Sequence, residues 1–233
     1  VWPEAALRAL QTSLGGLVVP REDGGSGLGL RALVAVCEAL GEVCASTAIC
    51  FGMHNVAAAV IGAKPTDRQR KEFLRPIAAG EHLTTLALSE PGTGAEFWLP
   101  RTELTSEDDG WRLNGEKSFV TNGSKADSYV VSTVAADPEA PAGEFSCVAV
   151  WGDSPGLSWH GAWDGIGMRG NSSLAARLDG VAVGPDVPSV SDAAHSAVHR
   201  ALAVMRLPGR RPSRSRKCGP TSAAPSGRTI RRT

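Results

Sequence analysis

Leu86-Ala-Leu-Ser-Glu-Pro-Gly-Thr-Gly-Ala95 decides the reading of this chain. It begins as an apolar run of strand character and breaks at once into a Pro/Gly turn, where backbone can approach a ligand closely. The period of the sequence differs on its two sides. Upstream, residues 4–14 read as a helix ended by Gly15-Gly16, and Leu17–Gly27 as a loop with turn chemistry. An amphipathic helix is expected at about 29–43, with Leu30, Leu33, Val36, Cys37 and Leu40 on one face. A more apolar helix is expected at 46–62. A third runs from Thr66 as N-cap to Ala79, bent by Pro76 and stopped by Gly80.

From Gly80 onward the segments are short and rich in Val, Leu and Thr: 83–89, 101–106, 111–114, 117–121, 128–135, 144–150, 157–160 and 174–183. Asp109-Gly110 and Asn114-Gly115 read as hairpin turns. The expected fold class is α+β: a helical N-terminal domain at 1–82, then an antiparallel β-barrel-like middle domain at 83–190. From about 191 the order fades. Ala193–Met205 has the composition of one weak helix, and the rest is too polar and broken to pack.

The 233 residues have zero net charge and a 42% hydrophobic fraction, ordinary for a protein that buries a real core. The zero is a cancellation. Residues 191–233 hold ten Lys/Arg and one acid, Asp192, against 24 of each in the whole chain, so a body of −9 carries a tail of +9. The tail has no aromatic interleaving for base stacking, so specific nucleic-acid recognition is not expected. Its Arg/Pro/Ser composition fits either out-of-frame translation of a GC-rich gene or a genuine basic arm. No apolar run is read as approaching the ~18 residues of a membrane span. The first residues carry no secretory signal pattern. Five cysteines without a C-x-x-C pair read as buried free thiols, at Cys37, Cys44 and Cys50 in particular, which fits a reducing cytoplasm.

Further segments follow the opening one in order: Asn114-Gly-Glu-Lys-Ser-Phe-Val-Thr-Asn-Gly123, Ala126-Asp-Ser-Tyr-Val-Val131, Gly165-Ile-Gly-Met-Arg-Gly-Asn-Ser-Ser173 and Leu178-Asp-Gly-Val-Ala-Val183. Each alone is an ordinary turn or strand. In this order and spacing they resemble the acyl-CoA dehydrogenase family, over about residues 1–188. The resemblance implies an FAD-dependent enzyme that takes a hydride and a proton from the α,β-carbons of an acyl thioester. It assigns FAD contacts to Leu86, Leu88, Ser89, Gly94, Ala95, Phe119, Val120 and Thr121. The strand residues would serve the pyrimidine edge and the Gly92–Ala95 turn the pyrophosphate. Phe119 would wall the ring, and the Thr121 hydroxyl would lie near N5. Ala95 and Arg169 are its candidate contacts to an acyl-CoA substrate, although an ion pair or domain contact is the favoured reading of Arg169. No metal site is implied.

Several residues depart from the family pattern or invite a rival reading. Ala95 stands where many relatives have serine, and Phe119 where many have tryptophan. Glu90 reads as a turn-shaping carboxylate rather than a base. His54, on an apolar helix, reads as a buried or substrate-wall histidine, and Gly24-Gly25-Ser26-Gly27 as a plain turn. Relatives continue into a C-terminal four-helix bundle that supplies the catalytic glutamate and the homo-oligomer interface. Nothing in 191–233 resembles it, so the resemblance implies a truncated form with no catalytic residue of its own. An oxygen-using oxidase or monooxygenase of the same fold, and a non-catalytic remnant, stay open as alternatives.

Overall fold

Helices occupy the chain up to Ala79 and strands begin at Thr84 in a computed structural model. It describes residues 1–184 other than Ala95, Asp109, 137–138 and 140–143. The expected weak helix and basic tail beyond 191 lie outside the described residues. The helices are α1 (Glu4–Leu14), α2 (Leu30–Val43), α3 (Ala45–Ala63), α4 (Asp67–Gln69) and α5 (Arg75–Ala79). The expected face of α2 is the one that packs: Leu33 is buried, with Leu30, Val36, Cys37 and Leu40 against the same core. Residues 66–79 run on as one helical stretch. Thr66 and Gln69 form a reciprocal capping box at its start. A π turn at Arg70–Leu74 separates α4 from α5. Pro76 offers no N–H to the carbonyl four residues back, and the ladder widens one turn upstream.

Helix α3 corrects one sequence reading. It is 19 residues long with mean hydropathy 1.4, which by length and composition is enough to cross a membrane. Yet 67% of that stretch is buried within the fold, so it serves as the central core helix. The cysteines also divide. Cys50 is buried, Cys37 half-buried and Cys44 exposed at the N-cap of α3.

The strands are β1 (Thr84–Ala87), β2 (Glu103–Glu107), β3 (Gly110–Val120), β4 (Ser128–Val134), β5 (Phe145–Trp151), β6 (Leu157–His160) and β7 (Leu174–Val183). They do not close into a barrel, contrary to the sequence expectation. They form two separate sheets, one ordered β1-β4-β5 and the other β2-β3-β7-β6. The first strand pairs parallel to β4, with Thr84 opposite Ser128, while the other pairings are antiparallel. Between β1 and β4 the chain leaves to build β2 and β3 of the other sheet, and that excursion puts the strands in two layers.

The layers stack as helices, first sheet, second sheet. Leu86, Val130, Phe145 and Cys147 face the helical core with Phe51, Val56 and Ile77. Ala87, Tyr129, Val131 and Val148 face the second sheet with Leu113, Leu178 and Val181. A sheet covered on both faces needs apolar residues at successive positions, as in β4.

A second correction concerns Asn114-Gly115. It lies inside β3, where the register to β7 slips, and makes a bulge rather than a hairpin turn. Glycine is required there by close approach: a Cβ would sit 2.8 Å from Thr102 Oγ1. The expected turn at Asp109-Gly110 includes Asp109, outside the described residues; the pairing on either side of it ends with Glu107 opposite Gly110.

Candidate functional site

The end of β1, the end of β3 and helix α3 meet around a pocket of about 140 Å³. Met53, Leu86, Leu88, Ser89, Phe97, Ser118 and Phe119 line it. Ligand pockets usually start near ~300 Å³, so this one is a cradle for part of a ligand. Leu86 and Leu88 alternate onto the face turned toward α3. Beyond β1 the backbone leaves the ladder, and neither the N–H nor the hydroxyl of half-buried Ser89 has a partner among the described residues. The Ser89 carbonyl accepts from Ser118 N–H at 2.7 Å, which pins the end of β3 beside it.

Phe119 has a positive φ of 54° and leaves its ring 67% exposed, edge-on to Trp163 at 6.0 Å. A side chain held in that conformation costs about 1–3 kcal/mol, which the surrounding packing must supply. The following Pro91–Gly94 turn has Gly92 and Gly94 at φ of 81° and 55°, with open space around the Gly94 Cα. Main chain there is accessible to an anionic group.

Other sequence-picked residues fall elsewhere. Val120 is buried in the core between the sheets. Thr121 is buried too: its carbonyl accepts from Thr85 Oγ1 at 2.9 Å and its hydroxyl lies 3.5 Å from Ser173 Oγ. Ala95 lies outside the described residues. Arg169 is exposed and closes its own turn, with Nε donating to the Gly165 carbonyl at 3.0 Å. Met53, Phe97 and Ser118 were not picked out. Ser118 sat inside a quoted motif, whereas Met53 and Phe97 reach the pocket through tertiary packing that leaves no mark in the sequence.

Glu90 is fully engaged. Its Oε1 accepts from Lys117 Nζ at 2.5 Å, Thr102 Oγ1 at 2.7 Å and Thr102 N at 3.1 Å, and Oε2 from Arg101 N at 2.6 Å. Burial raises the carboxyl pKa, but these donors outweigh it and hold the group below the usual range. Glu90 is therefore no proton acceptor at this site. Burial pulls the Lys117 ammonium down to about 8 against the pull of that carboxylate.

Two buried polar residues join the layers. His54 Nδ1 accepts from Thr84 N at 3.1 Å, so Nε2 carries the proton donated to the Gly15 carbonyl, also at 3.1 Å. Burial lowers its pKa to about 4, and it stays neutral. This answers the sequence question in favour of a buried structural histidine. Asn122, at φ 60°, accepts from Trp2 Nε1, donates to the Cys50 carbonyl and offers its own carbonyl to Tyr129 Oη. Thr121-Asn122-Gly123 is thus a corner between sheets. Among the described residues no cluster of His, Cys, Asp and Glu could hold a metal ion. Gly24–Gly27 follows a 3₁₀ turn at Arg21–Asp23 and donates back to the carbonyls of Gly16, Val19, Pro20 and Arg21, as a plain turn does.

Residues 2–81 match the model of the acyl-CoA dehydrogenase N-terminal domain, and 85–181 that of the middle domain. The chain is 33% identical over 159 residues to a mitochondrial isobutyryl-CoA dehydrogenase of Dictyostelium discoideum, covering 68% of this chain and 38% of that protein. It is 37% identical over 185 residues to a cyclohex-1-ene-1-carbonyl-CoA dehydrogenase of Geobacter metallireducens, with 75% and 47% covered. The chain therefore spans less than half the length of these relatives. A solved acyl-CoA dehydrogenase of Bacillus anthracis, complexed with FAD, superposes with a TM-score of 0.71 at 26% identity, over 87% of this chain and 35% of that one.

Proposed function

The chain belongs to the acyl-CoA dehydrogenase family, and from that premise we propose that it forms the flavin- and thioester-binding part of an acyl-CoA dehydrogenase. Its cofactor is FAD, which when bound accepts the hydride taken from the substrate. The observation that carries the proposal is that Ser89, whose N–H and hydroxyl have no partner among the described residues, lines a pocket together with the exposed ring of Phe119. A flat heteroaromatic ring with a polar edge fits that pairing: Phe119, Leu88 and Met53 would hold its apolar face and Ser89 its edge.

Each residue acts through the form of its contact. Leu86 and Leu88 give an apolar floor, and Ser89 orients a hydrogen-bonding edge. Gly94 leaves main chain open to a pyrophosphate, with the Arg101 guanidinium beside Gly92. An acyl thioester would then lie across the ring from Phe119, next to the Gly94 turn. Proton abstraction needs a carboxylate within hydrogen-bond reach, and none lines this pocket. We assign that base to a segment outside the described residues.

The test is titration of the purified chain with FAD, followed by quenching of flavin fluorescence, in parallel with Ser89→Ala and Phe119→Ala. Saturable binding weakened about tenfold by either substitution supports the site. Binding that ignores both substitutions, or no binding by the unaltered chain, refutes it.

A further inference from the structure

Lys117 is wholly buried, and the site described above gives its charge no direct task. Its ammonium donates to Glu90 Oε1 at 2.5 Å, Ser132 Oγ at 2.9 Å and the Leu88 carbonyl at 3.4 Å. Ser132 Oγ donates to the same carbonyl at 3.4 Å. We infer that Lys117 is the positioning residue of the flavin-binding strand: it fixes the Leu88–Ser89 peptide directly and the Pro91–Gly94 turn through Glu90. The inference rests on the FAD reading given above.

Peptide geometry carries the first half. In a trans peptide the C=O of Leu88 and the N–H of Ser89 point in opposite directions within one plane. Holding that carbonyl against Lys117 and Ser132 turns the Ser89 N–H the other way, and it finds no acceptor among the described residues. The next peptide is fixed as well, because the Ser89 carbonyl takes Ser118 N–H. Both peptides that flank Ser89 are therefore set by β3 and β4.

The second half runs through Glu90, which receives the main-chain N–H groups of Arg101 and Thr102 at the far end of the turn. Lys117 thus anchors the carboxylate that closes the loop from 90 to 102, which carries Gly92, Gly94 and Phe97. On β3 the same residue is the last in register with β7, opposite Ala176, before the irregularity at which Phe119 turns outward. One ammonium meets the strand, the turn and the bulge.

Stability alone does not call for an ion pair here. Apolar residues of similar volume often replace a buried pair at no loss, because desolvating two charges offsets their attraction. What apolar residues cannot do is orient a carbonyl and two N–H groups. A positioning role therefore separates from a packing role in the double variant Lys117→Met/Glu90→Gln, which leaves no lone buried charge.

Three quantities are measured on the full chain: the thermal unfolding midpoint without FAD, the Kd for FAD, and the reduction potential of the bound flavin. The expected result is a midpoint close to that of the unaltered chain, FAD binding about tenfold weaker and a shifted potential. Affinity within twofold and an unmoved potential overturn the inference and leave the FAD reading standing. Should the double variant fail to fold, Ser132→Ala decides, since it removes one donor to the Leu88 carbonyl and keeps the ion pair. A several-fold loss of FAD affinity then supports the role, and no loss overturns it. No FAD binding by the unaltered chain overturns the FAD reading, and this inference falls with it.

Discussion

Acidification from pH 7.5 to 5.0 is expected to cost the fold about 2 kcal/mol through one side chain, His54. The ring is buried, accepts from Thr84 N–H and donates to the Gly15 carbonyl, so a second proton would break the first bond and leave a charge in the core. Burial lowers its pKa from 6.5 to about 4. The unfolded chain then takes up the proton first as pH falls. The contribution of neutral His54 is complete above about pH 7, declines through the window from 6.5 to about 4, and changes no further below it. At about 1.36 kcal/mol per pH unit that window is worth about 3 kcal/mol, most of it lost by pH 5. His82, also lowered by burial, adds to the loss with the same sign. Glu90, whose pKa is held below the carboxylate range, contributes stability that is lost only in more acidic solution. The assay is urea unfolding at pH 7.5 and 5.0, on the unaltered chain and on His54→Gln. The variant should be less stable at pH 7.5 but lose much less on acidification. An equal loss in both proteins would refute the assignment of the window to His54.

Thr121→Val removes a buried hydroxyl beside Ser173, away from the pocket, and is expected to leave FAD affinity within about twofold; a several-fold loss would give Thr121 a part in the site. Gly115→Ala forces a Cβ against Thr102 and should lower stability by about 1–3 kcal/mol, read as the urea midpoint at unchanged slope. Mixed with FAD and acyl-CoAs of several chain lengths without oxygen, this chain should bleach flavin at a rate orders of magnitude below that of a complete site. Rapid bleaching with any of them would show a base within the 233 residues.

The helices were legible almost to their ends because their signals are local: the Thr66/Gln69 capping box, the Gly80 stop and the apolar stripe of α2 all act within a few residues. The sheets were not, because pairing is decided between distant segments. Nothing in Thr84–Ala87 states that its partner is Ser128–Val131, or that the pairing is parallel. Asn114-Gly115 carries the same two letters in a bulge as in a hairpin, and what tells them apart is the nearness of Thr102. In the site, Leu86, Leu88, Ser89 and Phe119 line one pocket, while Val120 and Thr121 turn into the interior. Strand alternation alone would put Phe119 on the inner face with Lys117. The positive φ reverses it, and that is a three-dimensional fact.

The parallel pairing of β1 with β4 also sets an order of assembly. A ribosome-bound chain that ends before residue 128 holds all the described helices and the β2–β3 hairpin, and β1 can rest on α3, yet the strand it pairs with is not made. Closing that separation of 44 residues costs entropy before any ladder bond repays it, so this contact forms slowly and late. Because β1 leads directly into Leu88, Ser89 and the Pro91–Gly94 turn, the Leu88 carbonyl is not fully held until Ser132 of β4 has arrived beside it. FAD thereby meets a fully ordered cradle only after β4 has paired with β1, and its binding favours molecules in which that pairing is made.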